Sequence, residues 1–327
     1  MASPQPFDQF MAQALYGPNG FYTSVGRAGR RGDFITSAEV GPLFGVVLGN
    51  MIEGCRQELG LPDDFTVVEV GAGPGTLARA IGASPNYRYV AVEVSESQRQ
   101  LHPPWVTSVD SLPNEPFCGI VLANELLDNL PFRLAVFDGA WREVFVAEHS
   151  PGDFSEVLSA PIDPLPSYLP RIAPHGARVP LQDRAAAWVH QVRKLADRVV
   201  TIDYCTAQTA ELASLPWRSW LRTYRGHERG VHYLRDVGLQ DITAQVCMDQ
   251  LPLPTASEPQ SAFLTRWGID DLVAEGKREW ARLASAPTVQ ALRMRSRVSE
   301  AEALQASDGL GGFVVATWDS DSLHQVS

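Results

Sequence analysis

A short run of β-forming residues that ends in an acid and then three alternating glycines, FTVVEVGAGPGTL over residues 65–77, constrains this chain more than any other stretch. The valines favour a pleated strand. Gly71, Gly73 and Gly75 mark a turn that brings backbone close to a ligand, and a helical pattern opens at Thr76. Further apolar strand patterns follow in YRYVAVE, WVTSV, CGIVLAN and RVVTIDY. Strands in alternation with helical segments predict an α/β fold with a parallel sheet covered by helices on both faces.

The turn is selective about its ligand. A dinucleotide fingerprint sets its third glycine one position later, where this chain has Thr76, and the Gly-Lys-Ser/Thr triplet of a Walker loop occurs nowhere. Glu69, just ahead of the glycines, disfavours phosphate and suits a ligand that bears an ammonium group. Glu93 closes the second strand, where a carboxylate accepts the hydroxyls of a ribose diol. Asp110 follows the short third strand, at the expected place of an adenine edge. Together these residues point to S-adenosylmethionine. A nicotinamide or flavin cofactor, or a tight turn without a ligand, are the alternatives.

Composition narrows the partners. The formal charge of the 327 residues is −11 and no Lys/Arg cluster offsets it, whereas a duplex binder needs a basic footprint. No apolar run approaches the roughly 18 residues of a membrane span. The N-terminus reads as neither a secretory signal nor a transit peptide, so a cytoplasmic location is expected. Cys55, Cys118, Cys205 and Cys247 form no CxxC pair and read as reduced, mostly buried thiols. His227 and His232 lie five apart with no cysteine or carboxylate to complete a ligand set, so no metal site is expected.

Length predicts one main domain with substantial insertions, or a domain plus a smaller lid. Residues 1–60 read as an N-terminal helical extension over the cofactor, with one helix through Phe7, Phe10, Met11, Ala14 and Leu15 and another through Phe44, Leu48, Met51 and Ile52. Residues 61–327 read as the main domain, interrupted by lid segments at about 131–195, 206–235 and 250–305. Within the first, Asp138-Gly139 marks a hairpin. In the second, the spacing of Trp217, Trp220 and Tyr224 predicts a helix face.

The combination of GFYT, GDFIT, EVGAGPGTL, ANELLDNLP and WRE resembles the MidA-type methyltransferases, homologues of the mitochondrial complex I assembly factor seven. The resemblance runs from ALYGPNGFYT to GLGGFVVATW. It implies a class I, Rossmann-like methyltransferase fold with a mostly parallel seven-stranded sheet and S-adenosylmethionine as cofactor. The eukaryotic member is similar to protein arginine methyltransferases and modifies a complex I subunit. Carried over, Glu69, Gly71, Gly73 and Gly75 surround the methionine end and Glu93 holds the ribose. Gly32, Asp33, Phe34 and Thr36 form a loop over the cofactor, and Asn124, Glu125 and Asp128 face the methyl group and the acceptor. Three positions depart from the family pattern: Cys205 after IDY, and Gln245 and Cys247 in TAQVCM. They leave the cofactor better defined than the acceptor.

Residue chemistry accords with an arginine acceptor. Two carboxylates that fork a guanidinium localise its charge and take up a proton as the new bond forms. Glu125 is the expected orienting carboxylate and Asp128 its partner on a first helical turn, with Glu143 a further candidate. Bland readings stand beside these: Asp128 as a helix cap and Glu143 on a solvated strand face. A small-molecule methyltransferase and a non-catalytic assembly module remain the rival functions.

Overall fold

Near-continuous apolar runs, rich in Val and Ile and paired mostly in parallel, build the sheet that carries the glycine turn. The computed structural model describes residues 3–23, 36–225, 228–283, 285 and 288–320. Seven strands, β1 (Thr66–Val70), β2 (Arg88–Val92), β3 (Thr107–Val109), β4 (Gly119–Asn124), β5 (Arg198–Asp203), β6 (Ala256–Pro259) and β7 (Val314–Asp319), lie in the order β6-β7-β5-β4-β1-β2-β3. The first five are mutually parallel; β7 runs antiparallel to β5, and β6 antiparallel to β7. The chain steps outward from β1 to β3 and then returns to the other side of β1 as β4. That reversal leaves a crevice at the carboxyl ends of β1 and β4, the place where open α/β sheets bind ligands.

Helices cover this sheet: α1 (Ser37–Val40), α2 (Pro42–Glu58), α3 (Thr76–Ile81), α4 (Glu96–Arg99), α5 (Gln260–Arg266), α6 (Ile269–Leu283) and α7 (Val289–Gln305). Phe44, Leu48 and Ile52 of α2 share a core with Phe65, Val67, Ile120, Leu122 and Ile202. Pro42 suits the first turn of α2, where its missing N–H costs nothing. The next donor, Leu43 N–H, bonds the buried Glu300 carboxylate of α7 at 2.9 Å.

A second unit comprises Met1–Phe34, Leu126–Val192 and Tyr204–Leu253, and the sheet unit comprises Ile35–Glu125, Arg193–Asp203 and Pro254–Ser327. The second unit is largely antiparallel. Its main sheet orders Gln5–Pro6, Trp141–Ser150, Arg133–Phe137 and Arg178–Leu181, with Asp153–Pro161 also on Trp141–Ser150. The hairpin at Asp138-Gly139 is present, with Gly139 at φ 107. Phe7, Phe10 and Met11 of the first helix are buried in this unit's core with Phe132, Leu134 and Trp141.

This division differs from the expected one. Residues 36–60 and 254–305 belong to the sheet unit, because the apolar face of α2 and residues Phe263, Ile269 and Leu304 pack into its core. Trp217, Trp220 and Tyr224 do not share a helix face. Trp217 opens a single 3-10 turn, Trp217–Ser219, and Tyr224 lies on the strand Leu221–Arg225, which pairs with Asp241–Ala244. Ladder pairing has overridden a helical spacing.

Candidate active site

The glycine turn leaves β1 with Gly71, Gly73 and Gly75 at φ 73, 52 and 78. Residues with a side chain rarely adopt that region, and here it recurs at every second position. Among the described residues, a Cβ placed on Gly73 would meet nothing within 4 Å, so none of them crowds the backbone at that position. At Gly75 a Cβ would stand 3.1 Å from the His102 ring. The Gly71 and Ala72 N–H groups both bond the Val92 carbonyl, which fixes the turn to the end of β2.

Glu93 lies one residue beyond that point. Its Oε2 accepts the Gly73 N–H at 2.9 Å and its Oε1 accepts the Ser95 N–H at 2.8 Å. Each carboxylate oxygen has a further lone pair, so the group can hold the turn and still accept from a diol. Val94, next in line, is 56% exposed although apolar. Sequence reading passed over it; its only signal is an apolar residue directly after the strand's terminal acid. Asp110 follows β3, is exposed and accepts the Ser111 hydroxyl. It lines a cavity of about 370 Å³ with Thr66, Arg88, Thr107 and Phe117.

Glu69 faces away from solvent and is 4% exposed. Its carboxyl accepts the Tyr89 hydroxyl at 2.9 Å. Burial pushes its pKa to about 8, and the nearby Glu93 adds to the rise against the Tyr89 bond. Burial therefore favours the neutral form of the acid ahead of the turn. Its influence on an ammonium group begins only above that pKa or on close approach of the charge.

At the end of β4, Asn124 sits beside the turn by register, since Val70 pairs with Ala123. Its Oδ1 is buried and, among the described residues, has no hydrogen-bond partner. Glu125 takes φ 54, a left-handed conformation unusual for a side-chain-bearing residue. Such strain persists only where the surroundings enforce it, and it concentrates at functional positions. The enforcing contacts are identifiable. Glu125 N–H continues the ladder to the Ile202 carbonyl at 2.8 Å, and Oε1 accepts both Ser37 N–H and Asn124 Nδ2 at 3.1 Å. Ser37 opens α1, whose N-cap is Thr36 in a capping box with Glu39. Of the residues expected to cover the cofactor, Thr36 is described, while Gly32, Asp33 and Phe34 lie outside the described residues, as does His227.

Asp128 does not share an α-helical turn with Glu125. The left-handed residue breaks the chain direction, and a single 3-10 turn, Leu127–Asn129, follows. In the second unit the Asp128 carboxyl accepts the Thr243 hydroxyl, and its Oδ1 is shut off from solvent. Asp241, fully buried, accepts Asn129 Nδ2 at 3.1 Å and the Ile242 N–H at 2.9 Å. Burial raises both carboxyls, and the charge of Asp128 raises Asp241 further. Tyr22 of the GFYT motif hydrogen-bonds Asp241, and burial and these acids hold its hydroxyl well above the ordinary range. Sequence reading missed Asp241, whose only mark is an acid at the head of an apolar strand.

Glu143 is held in a structural pair: Arg133 bonds Glu143 Oε1 at 2.5 Å and Asp183 Oδ2 at 2.7 Å. Cys205 and Cys247 lie on one short parallel ladder, Gln245 stands just ahead of it with its Nε2 bonded to the Cys205 carbonyl, and Cys247 is fully buried. Cys247 is thus a core residue. Among the described residues no group of three or more His, Cys, Asp or Glu side chains is arranged to hold a metal ion.

The backbone donors and acceptors of the glycine turn, the Glu93 carboxylate, the exposed apolar Val94 and the buried Asn124 amide oxygen are groups that could hold S-adenosylmethionine. Comparison with known proteins agrees. Residues 47–259 match a family model described as S-adenosyl-L-methionine-dependent methyltransferase. A Drosophila melanogaster protein arginine methyltransferase NDUFAF7 homologue is 30% identical over 182 residues, which span 44% of this chain and 41% of that protein, less than half its length. The Danio rerio protein arginine methyltransferase NDUFAF7 is 26% identical over 320 residues, 80% of this chain and 72% of that one. A crystal structure of a Burkholderia thailandensis protein bound to S-adenosyl-homocysteine superposes with a TM-score of 0.78 at 26% identity, covering 96% of this chain and 87% of that one. This chain belongs to the MidA-type family of S-adenosyl-L-methionine-dependent methyltransferases.

Proposed function

We propose that this methyltransferase modifies an arginine side chain of a protein. The observation that carries the reading is Glu125, a carboxylate locked in a strained left-handed conformation at the carboxyl end of β4, beside the glycine turn. The two relatives named as arginine methyltransferases support it at 30% and 26% identity.

When bound, the cofactor supplies a methyl group on a sulfonium, whose thioether leaves without acid assistance. What the protein must supply is alignment, which is worth roughly 7–11 kcal/mol in a well-oriented displacement, and a free nitrogen lone pair. Guanidinium offers none, because it stays protonated below a pKa of about 12. A carboxylate bonded to two of its nitrogens draws the charge toward them and frees the third. Glu125 is assigned this orienting role, and its carboxylate takes up the proton that the methylated nitrogen releases. A quinone-side subunit of a respiratory NADH dehydrogenase is the protein acceptor that the family resemblance favours.

Incubation of the purified protein with methyl-labelled cofactor and a lysate from a deletion strain tests the reading. Label in a discrete protein band that yields methylarginine on hydrolysis, and that is absent with Glu93→Ala, is expected. Label confined to small molecules would overturn it.

A further inference from the structure

The middle glycine of the turn is held from both sides. On one side its N–H is bound by Glu93 at 2.9 Å. On the other, its carbonyl oxygen lies 2.8 Å from Nε2 of His102. A carbonyl only accepts, so Nε2 carries a ring proton, and in the neutral ring Nδ1 is the acceptor nitrogen. The Ser108 hydroxyl, 2.9 Å from Nδ1, then donates to it. The relay runs from β3 through the imidazole to the cofactor turn and fixes the tautomer of the ring. His102 is itself anchored: its N–H bonds the Arg99 carbonyl at 3.1 Å, and Arg79 of α3 bonds the Leu101 carbonyl at 2.9 Å.

We propose that His102 is a positioning residue for the cofactor, holding the Gly73 carbonyl through its Nε2–H in the orientation in which the methionine end is bound. Beyond the Glu93 bond to its N–H, Gly73 at φ 52 has no side chain to restrain it, so without His102 the peptide bearing its carbonyl gives up more freedom when the ligand binds. A turn ordered beforehand avoids that cost. The Gly73 carbonyl, with one lone pair taken by His102, keeps a second for an N–H of the ligand. No residue of the acceptor side enters this inference, which needs only the cofactor.

Calorimetric titration of the full-length protein with S-adenosyl-homocysteine, alongside thermal melting without ligand, provides the test. Loss of one net hydrogen bond corresponds to about a three- to tenfold change in affinity. His102→Ala is therefore expected to weaken binding about fivefold, and His102→Gln, whose amide N–H replaces that of Nε2, to stay within about twofold of the parent. A lowered melting temperature with unchanged affinity in His102→Ala would make the residue a mere brace and overturn the proposal. Should the alanine variant not fold, ring 15N shifts of the parent protein decide. A neutral Nε2–H ring that changes to a tautomer mixture in Ser108→Ala, with weaker binding, upholds the relay, whereas an Nδ1–H ring in the parent refutes it.

Discussion

Replacing Glu69 by Gln should make the protein more stable, and by an amount that depends on pH. Glu69 is 4% exposed and burial carries its pKa from the ordinary 4.5 to about 8. The folded state therefore binds this proton more tightly than the unfolded chain between those two values. The contribution is complete below about 4.5, declines as pH rises and is fully lost above about 8. Each pH step inside the window is worth about 1.4 kcal/mol, so the accumulated loss is roughly 3 kcal/mol at pH 7 and roughly 5 kcal/mol above pH 8 as upper bounds. Gln cannot ionise, and its carbonyl still accepts the Tyr89 hydroxyl that the carboxyl now takes at 2.9 Å. Urea unfolding of both proteins at about pH 5 and pH 8.5 isolates Glu69, because Asp128 and Asp241 titrate in each. The difference in unfolding free energy should widen by several kcal/mol toward the higher pH. A difference independent of pH would mean that Glu69 is ionised inside the folded protein, and the reasoning about its burial would fail.

Other expectations follow from particular contacts. Glu125→Gln should lower methyl transfer by about a hundredfold or more, the scale of removing one well-placed charged group, while S-adenosyl-homocysteine affinity stays within about threefold; equal losses in both assays would put Glu125 on the cofactor instead. Glu300→Ala leaves Leu43 N–H without its carboxylate and should cost about 1–3 kcal/mol in chemical denaturation. Gly41→Ala would bring a Cβ to 2.2 Å from the Glu300 carboxyl carbon, so its cost should shrink markedly in the Glu300→Ala background, and additive costs in that cycle would exclude the clash. Asp241→Asn should raise the melting temperature more at pH 8 than at pH 5, since burial and the Asp128 charge both raise the Asp241 carboxyl and the folded protein loses stability as that group ionises.

What could be read from the chain, and what could not, divides by the range of the interactions involved. The strands of the parallel sheet and the glycine turn are local: five-residue apolar runs, an acid and alternating glycines lie within one stretch of chain, and β1, β2, β4 and β5 stand where the pattern put them. The division into units was not local. Helix α2 joined the sheet because Phe44, Leu48 and Ile52 meet Phe65 and Ile120 across long separations, and nothing in the helix's own sequence names its partner. The helical spacing of Trp217, Trp220 and Tyr224 gave way for a similar reason, to a ladder with residues 241–244. At the site, Glu93 was visible as a strand-ending acid, yet its bond to the Gly73 N–H and the imidazole on the opposite side of that peptide depend on a chain reversal between residues 93 and 102. The same holds for Glu125. Its motif marked it out, but its distinguishing feature is a left-handed backbone enforced by Ser37, 88 positions earlier in the chain. Motifs identify residues that bear chemistry, whereas the bonds that set their protonation and orientation come from whichever segments the sheet order brings beside them. Mutations at those second residues, His102 and Ser37 among them, therefore test the site more sharply than further changes within the glycine turn, where loss of the backbone conformation itself would obscure any change in binding.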